Sequence, residues 1–171
     1  SFFNPTGVAV DNNGNVFVAD LGNHSIRKVT PGGAVTTLAG NGNMGAPFTY
    51  PSSVAVDTSG NVIVADRDNE LIRKVTQGGV VTTLAGSGNP GFADAPSGPG
   101  SVASFSSPQG VAVDSSGNVF VTDIGNAVIR KVTPAGVVTT IAGTPTVSGY
   151  EDAPFDLSNI TWNIGWNSTG N

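Results

Sequence analysis

The stretch Pro5–Gly40 reads PTGVAVDNNGNVFVADLGNHSIRKVTPGGAVTTLAG. It recurs without a gap at 51–86 and at 108–143, and 22 of the 36 positions carry the same residue in all three copies. Tandem repetition at this period is typical of architectures that are built from one supersecondary unit per repeat. Each copy is therefore predicted to be one unit of the fold.

Each copy contains four short runs of Val, Ile, Thr and Phe, and these runs are separated by Gly, Asn, Asp and Pro. In the first copy the runs are 8–10, 16–19, 26–30 and 35–38. β-Branched and aromatic runs between turn residues are typical of strands and hairpins. No apolar stripe of helical period extends over ten or more residues. The pattern predicts a four-stranded antiparallel meander in each copy.

The first two runs of each copy are apolar at consecutive positions, which predicts that both faces of each sheet are covered. Tandem four-stranded sheets that cover one another form the blades of a β-propeller. We therefore expect an all-β propeller with full blades at about 5–40, 51–86 and 108–143. One aromatic residue precedes the proline of each copy by three positions and is expected to fill a junction between blades: Phe2, Phe48 and Phe105.

A fourth copy begins within the sequence but is not completed. Residues 164–171 align with 111–118, although Asn167 replaces the aspartate and Thr161 replaces the proline. We expect a partial fourth blade at about 161–171. Because three blades do not close a ring, further repeats or another chain are expected to complete it. We favour further repeats, since an end within a hairpin would leave an unpaired strand edge.

Composition excludes several classes of function. Only 11% of residues are charged and the net charge is −5, which argues against nucleic acid as a partner because phosphates require a basic surface. The absence of cysteine excludes disulfides and thiolate metal sites. No apolar run approaches the roughly 18–20 residues that span a bilayer, so no membrane span is predicted.

The pattern Gly-Val-Ala-Val-Asp…Gly-Asn-Val-Phe-Val-Ala-Asp…Asn…Ile-Arg-Lys-Val resembles the NHL repeat, in its bacterial-type tandem form with Val-Thr-Thr-Leu-Ala-Gly tails. The match covers residues 5–143. This resemblance implies a β-propeller, often with six blades. Some NHL-like propellers are metal-dependent lyases that use several histidines with Tyr and Arg. His24 is the only histidine of this chain, so that assignment does not carry over.

Charged residues that recur in every copy allow two interpretations. The Arg-Lys pairs could form a ring of cations that binds an anion, or their long stems could lie across the next blade and place the charge at the rim or against the blade's aspartate. We favour the second interpretation, because a feature of every blade is architectural. The pairs are Arg27-Lys28, Arg73-Lys74 and Arg130-Lys131.

The aspartates that end the second run also have two interpretations. They could form a carboxylate ring for Ca²⁺, which favours several oxygen ligands. Alternatively, they and the asparagines three residues later could hold local Asx-type turns. We favour the turns and expect no cofactor, with Ca²⁺ as the alternative. These aspartates are Asp20, Asp66 and Asp123, and a second set of expected turn residues is Asp11, Asp57 and Asp114.

Positions that differ between copies carry the functional candidates. The loop after the second run reads Leu21-Gly-Asn-His24, Arg67-Asp-Asn-Glu70 and Ile124-Gly-Asn-Ala127. In propellers this loop emerges on the same face as the linkers between blades, where ligands commonly bind. His24 is expected to be a surface loop residue. The candidate ligand-binding residues are Arg67, Asp68, Glu70, Asn23, His24 and Asn126.

Two linkers share a Gly-aromatic-x-Asp motif, at 91–94 and 149–152. The aromatic ring could stack on a sugar while the carboxylate binds its hydroxyls, or the motif could be an ordered loop that packs its ring between blades. We favour the ordered loop.

The sequence shows no convergent catalytic set. It favours a non-enzymatic interaction or scaffold propeller, extracellular or periplasmic, that presents its loops to a protein or glycan. Two alternatives remain open. One is a Ca²⁺-dependent hydrolase or lyase, and the other is a structural building block that assembles by strand exchange.

Overall fold

A computed structural model describes residues 1–44, 47–97 and 99–145 and confirms the propeller blades. Three four-stranded antiparallel sheets are present, each a meander of consecutive strands. Blade 1 contains β1 Pro5–Val10, β2 Val16–Asp20, β3 Ser25–Val29 and β4 Val35–Gly40; blade 2 contains β5 Pro51–Val56, β6 Val62–Asp66, β7 Leu71–Val75 and β8 Val81–Ala85; blade 3 contains β9 Pro108–Val113, β10 Val119–Asp123, β11 Val128–Val132 and β12 Val138–Ala142. The expected partial blade at 161–171 lies outside the described residues.

The turn between the first two strands of each blade is held by its aspartate, as predicted. The Asp11 carboxylate accepts hydrogen bonds from the backbone N–H groups of Asn13 and Asn15, at 2.9 and 2.8 Å. Gly14 adopts a φ of +76°, which favours glycine. Asp57 and Asp114 make the equivalent contacts in the other blades.

Consecutive blades pack through apolar side chains from both sheets. At the first junction a cluster joins Phe17 and Ile26 of blade 1 to Val62 and Val64 of blade 2, with Phe48 fully buried. The second junction repeats this arrangement around Phe105. The two aromatic residues therefore fill junctions as expected. Phe2 differs and is partly exposed, because no blade precedes blade 1 in the described residues.

Short 3₁₀ turns follow the second strand of each blade: Leu21–Asn23, Arg67–Asn69 and Ile124–Asn126. None of the helical segments in the described ranges is long and apolar enough to cross a membrane.

Candidate functional site

Strand direction brings the variable loops and the linkers to one end of the blades. In each meander the second and fourth strands run in the same direction, so the loop after the second strand and the linker after the fourth emerge together. The contacts confirm this proximity: Gly125 N–H donates to the carbonyl of Ser106 at 2.8 Å, which joins the blade 3 loop to the linker before it. We call this end of the molecule the loop face.

The aspartate that ends the second strand of each blade is fully buried and does not make the local turn that we expected. Asp20 accepts a hydrogen bond at 2.7 Å from the backbone N–H of Phe3, which lies 17 residues earlier in the chain. Asp66 and Asp123 accept equivalent bonds from the N–H groups of Thr49 and Ser106, at 2.8 and 2.7 Å. The Asx-type interpretation was therefore wrong. These carboxylates attach the linker before each blade to its second strand.

The same aspartates are also paired with the repeated arginines. Arg27 Nη1 lies 3.3 Å from Asp20 Oδ2, and Arg130 Nη1 lies 3.1 Å from Asp123 Oδ2. Arg73 Nε lies 3.4 Å from Asp66 Oδ2. The arginines thus neutralise carboxylates inside their own blades, as the architectural interpretation predicted.

This environment does not fit the calcium alternative at Asp20, Asp66 and Asp123. The carboxylate oxygens accept hydrogen bonds from N–H donors, and a bound cation would also meet the adjacent guanidinium charge. Within residues 1–44, 47–97 and 99–145, no group of three His, Asp or Glu residues is placed to hold a metal ion.

Burial raises the pKa of Asp66 to about 6, against the opposing effect of its hydrogen bonds and of the Arg73 charge.

Asn23 and Asn126 serve the same framework. Asn23 Nδ2 donates to Asp20 Oδ2 at 2.8 Å. Asn126 is buried, and its Nδ2 donates to Asp123 Oδ2 and to the carbonyl of Gly91, both at 2.8 Å. Two of the six candidate residues therefore have their amide groups directed into the blade.

His24 is buried at the junction of blades 1 and 2, so the expectation of a surface loop residue was wrong. It is 7% exposed and adopts a positive φ of 47°. Its Nδ1 accepts a hydrogen bond of 3.2 Å from the backbone N–H of Tyr50, and the two rings meet edge to face at 4.8 Å.

Glu70 occupies the corresponding position in blade 2 and has the same role. Its Oε2 accepts a hydrogen bond of 2.6 Å from the backbone N–H of Ser107. Burial is the main cause that raises the pKa of Glu70 above its usual range. His24 and Glu70 are therefore inter-blade latches, in which a side chain of one blade accepts from the amide just before the next blade. Ala127 occupies the same position in blade 3, and its side chain carries no hydrogen-bond acceptor.

The linker at 87–107 contributes to a cluster around the buried Arg130 that sequence reasoning missed. Arg130 is fully buried and donates to Asp94 Oδ1 through both Nε and Nη2, at 3.0 and 2.7 Å. Its guanidinium also lies 5.0 Å from the ring centroids of both Phe92 and Phe105. Asp94 Oδ2 accepts from the N–H of Thr140. We call Phe92, Asp94, Phe105 and Arg130 the arginine clamp.

The arginine clamp answers the question raised by the Gly-aromatic-x-Asp motif. The carboxylate of Asp94 bonds to Arg130 and Thr140 within the protein, as an ordered loop requires. The ring of Phe92, however, is 42% exposed and lies over the Arg130 guanidinium, whereas we expected it to pack between blades. The Gly-aromatic-x-Asp motif at 91–94 contains two members of the clamp, Phe92 and Asp94. The sequence analysis interpreted it as a sugar site or an ordered loop and did not identify Asp94 as the partner of Arg130. The second copy of the motif, at 149–152, lies outside the described residues.

Arg67 and Asp68 are the candidates that remain partly exposed at the loop face. Arg67 Nε lies 2.6 Å from Asp68 Oδ1, and its guanidinium lies 5.6 Å from the ring centroid of Tyr50. The linkers on either side of blade 2 add two exposed apolar side chains, Met44 and Phe92. We group the partly exposed residues of this loop and these linkers as the loop-face patch and define it as Met44, Tyr50, Arg67, Asp68 and Phe92.

The fold matches that of many solved structures. A protein of unknown function from Bacteroides thetaiotaomicron matches with a TM-score of 0.70 and 24% identity, over 84% of this chain and 37% of that one. Virginiamycin B lyase from Staphylococcus aureus matches with a TM-score of 0.59 and 19% identity, over 80% and 40%. A structure of a nidogen/laminin complex matches with a TM-score of 0.61 and 20% identity, over 81% and 48%. The chain spans less than half of each of these structures.

No curated protein matches the sequence. The family model described as NHL repeat matches at residues 2–29, 48–75 and 105–131, once in each blade. Each match begins at or next to the junction aromatic and ends in the third strand, and so contains the buried Asp–Arg pair of its blade. The chain belongs to the NHL-repeat family of β-propellers.

Proposed function

We propose that this chain is a non-enzymatic interaction module that presents its loop face to a protein or glycan. One observation carries the proposal: the loop-face patch stays exposed, whereas the other polar candidates at this face are bonded inside the framework. His24, Glu70 and Asn126 each have a partner within the chain. The partly exposed side chains of the loop-face patch therefore remain accessible to a partner.

The composition of the loop-face patch suits a protein partner in particular. Aromatic residues, Met and Arg are enriched in protein interfaces, and Tyr and Arg dominate their energetic centres. Tyr50 and Arg67 already lie in contact, and Met44 is exposed beside the same linker. One structural neighbour was solved as a nidogen/laminin complex, which supports a protein partner for a propeller of this kind.

A scaffold role at an extracellular or periplasmic site goes with this proposal, and the ring is completed by further repeats or by another chain. The alternative is a Ca²⁺-dependent hydrolase or lyase. Several structural neighbours are named as enzymes, among them virginiamycin B lyase and a gluconolactonase from Xanthomonas campestris. No residue of the loop-face patch favours that alternative.

Binding to an array of glycans and to extracellular proteins of the source tests the proposal, with matched variants. Arg67→Ala combined with Met44→Ser should reduce retention of the bound partner at least tenfold. Val80→Ser is the control, because Val80 is exposed in a turn at the opposite end of the blades. Equal retention by all three proteins, or no retention by any, contradicts the proposal. A stoichiometric divalent ion in protein purified without chelator would instead favour the enzyme.

A further inference from the structure

A cavity lies between blades 2 and 3, at the end of the blades that carries the hairpin turns and is opposite to the loop face. Its volume is about 240 Å³, and we call it the junction cavity. Its floor is apolar and includes Ile63 and Val119, which are 2% and 1% exposed. Its mouth is polar and includes the exposed residues Ser115 and Ser116. An apolar floor with a few polar groups above it is the usual composition of a small-molecule site.

The junction of blades 1 and 2 is built from the same repeat but lacks this depth. The cavity at that junction is lined mainly by residues of the hairpin turns, and neither Phe17 nor Lys28 is part of its lining. Phe17 occupies the position of Ile63 and is buried among the apolar side chains of the junction. Lys28 Nζ lies 5.8 Å from the centroid of the Phe17 ring. A phenyl ring beneath a lysine therefore fills the first junction at the position where the second carries Ile63 and a cavity.

Lys74 is the equivalent of Lys28 in blade 2 and lines the junction cavity. With Ile63 in place of a phenylalanine, its Nζ lies 3.3 Å from Asp57 Oδ2. An ammonium group has three donors, so Lys74 can donate to a ligand while it keeps its contact with Asp57. The two charges of this pair cancel, and burial of a neutral ligand costs less free energy than burial of an ion. The junction cavity is therefore suited to a neutral ligand.

We propose that the junction cavity binds a small, neutral aromatic alcohol, whose ring lies beneath Lys74 and whose hydroxyl group bonds to Lys74 or to the serines of the mouth. The ring gains the cation–π contact that Lys28 makes with Phe17. A cavity of about 150 Å³ is sufficient for benzene, so the volume of the junction cavity admits a ring with a short substituent. The site lies at the opposite end of the blades from the loop face and does not rest on the interaction proposed there.

Titration of the whole, ¹⁵N-labelled chain with benzyl alcohol, followed by NMR, tests the proposal. The amide signal of Gly117, which lines the junction cavity, should shift with the millimolar affinity that a ligand of this size allows. Cyclohexanemethanol has a similar size but no π-system and should bind about threefold more weakly. Absence of shifts up to the solubility limit, equal binding of cyclohexanemethanol, or tighter binding of the anion phenylacetate would overturn the proposal.

Three variants locate the site. Ile63→Phe introduces the residue that blades 1 and 3 carry at this position, so it should fill the junction cavity, keep a dispersed amide spectrum and abolish binding. Lys74→Met retains the length of the side chain and should weaken binding about tenfold, since the cation–π contact and a hydrogen bond are lost. Val80→Ser is the control, because Val80 is exposed and lies outside the lining of the junction cavity. Wild-type affinity of a folded Ile63→Phe chain, or of Lys74→Met, contradicts the proposal.

Discussion

Arg27 in blade 1 and Arg130 in blade 3 share the same local sequence, Ile-Arg-Lys-Val, and each pairs with the aspartate that ends the second strand of its blade. Their environments nevertheless differ. Arg27 is partly exposed and contacts Asp20, the carbonyl of Ser1 and the ring of Phe2. Arg130 is fully buried in the arginine clamp, with two carboxylates and two aromatic rings. The linker at 87–107 accounts for the difference, because it folds over blade 3. Similar repeats thus place the equivalent arginine in different environments, because the segments between the repeats differ.

The largest expected effect is that of Arg130→Met. Loss of the guanidinium leaves the Asp123 carboxylate buried without a cation, and breaking a buried ion pair costs about 3–5 kcal/mol in the free energy of unfolding. Arg27→Met is the matched control and should cost about 1–3 kcal/mol, the range for a hydrogen bond to a charged group. Urea unfolding of both variants measures the difference. Equal losses would show that the arginine clamp adds nothing to the repeated pair.

The second effect is a dependence on pH from Asp66, whose native pKa of about 6 lies above the unfolded value. Below pH 4 both states hold the proton. Between pH 4 and 6 the native state binds more protons, so this group lowers stability as pH rises, by an amount on the order of 2–3 kcal/mol. Asp66→Asn should remove this component from urea unfolding measured between pH 4 and 7. An NMR titration that finds the Asp66 carboxyl ionised at pH 4 would contradict the prediction.

The third effect isolates the contribution of the linker to the arginine clamp. Asp94→Ala removes the second carboxylate that bonds to Arg130, which has no counterpart at Arg27 in blade 1. It should lower the free energy of unfolding by about 2 kcal/mol, since the lost hydrogen bonds are charge-assisted. Asp68→Ala is the control, because its exposed pair with Arg67 should contribute less than about 1 kcal/mol. Thermal or urea unfolding compares them. If Asp94→Ala costs no more than Asp68→Ala, the burial of Arg130 does not depend on this carboxylate.

The smallest effect concerns the inter-blade latches. Glu70→Ala leaves the N–H of Ser107 without its acceptor and should cost about 1 kcal/mol. Glu70→Gln retains a side-chain oxygen at the same position and should cost less than about half of that. Urea unfolding at neutral pH separates the two variants. Similar losses for both would mean that the carboxylate charge, and not the hydrogen bond, stabilises the junction.

Much of the fold could be predicted from the sequence because the information is local and repeated. Strand runs, the turn held by Asp11 and the junction role of Phe48 depend on neighbours within a few residues or on the same position in the next copy. The partners of Asp20 could not be predicted in this way, because its amide donor lies 17 residues earlier in the chain. His24 was misplaced because its burial depends on Tyr50, which lies 26 residues later in the chain.

The candidate site was predicted less well than the fold. Positions that differ between copies were taken as functional, yet His24 and Glu70 differ in type while accepting the same kind of backbone hydrogen bond. The different residues at this loop position are therefore alternative acceptors for the backbone N–H that precedes the next blade. Arg67 and Asp68 kept the exposure that a binding role needs, and Arg67 contacts the ring of Tyr50, which belongs to a linker that sequence reasoning could not position.

The sequence by itself determined the three meanders, their turns and the family, because strand propensity, turn residues and the repeat period act over short distances. Only the tertiary structure decided which charges are buried, which loop residues latch the blades and which faces stay open. The physical reason is that burial depends on the surfaces that meet. Val8 and Val54 are the same residue in the same local sequence, and only the presence of a covering blade separates an exposed side chain from a buried one.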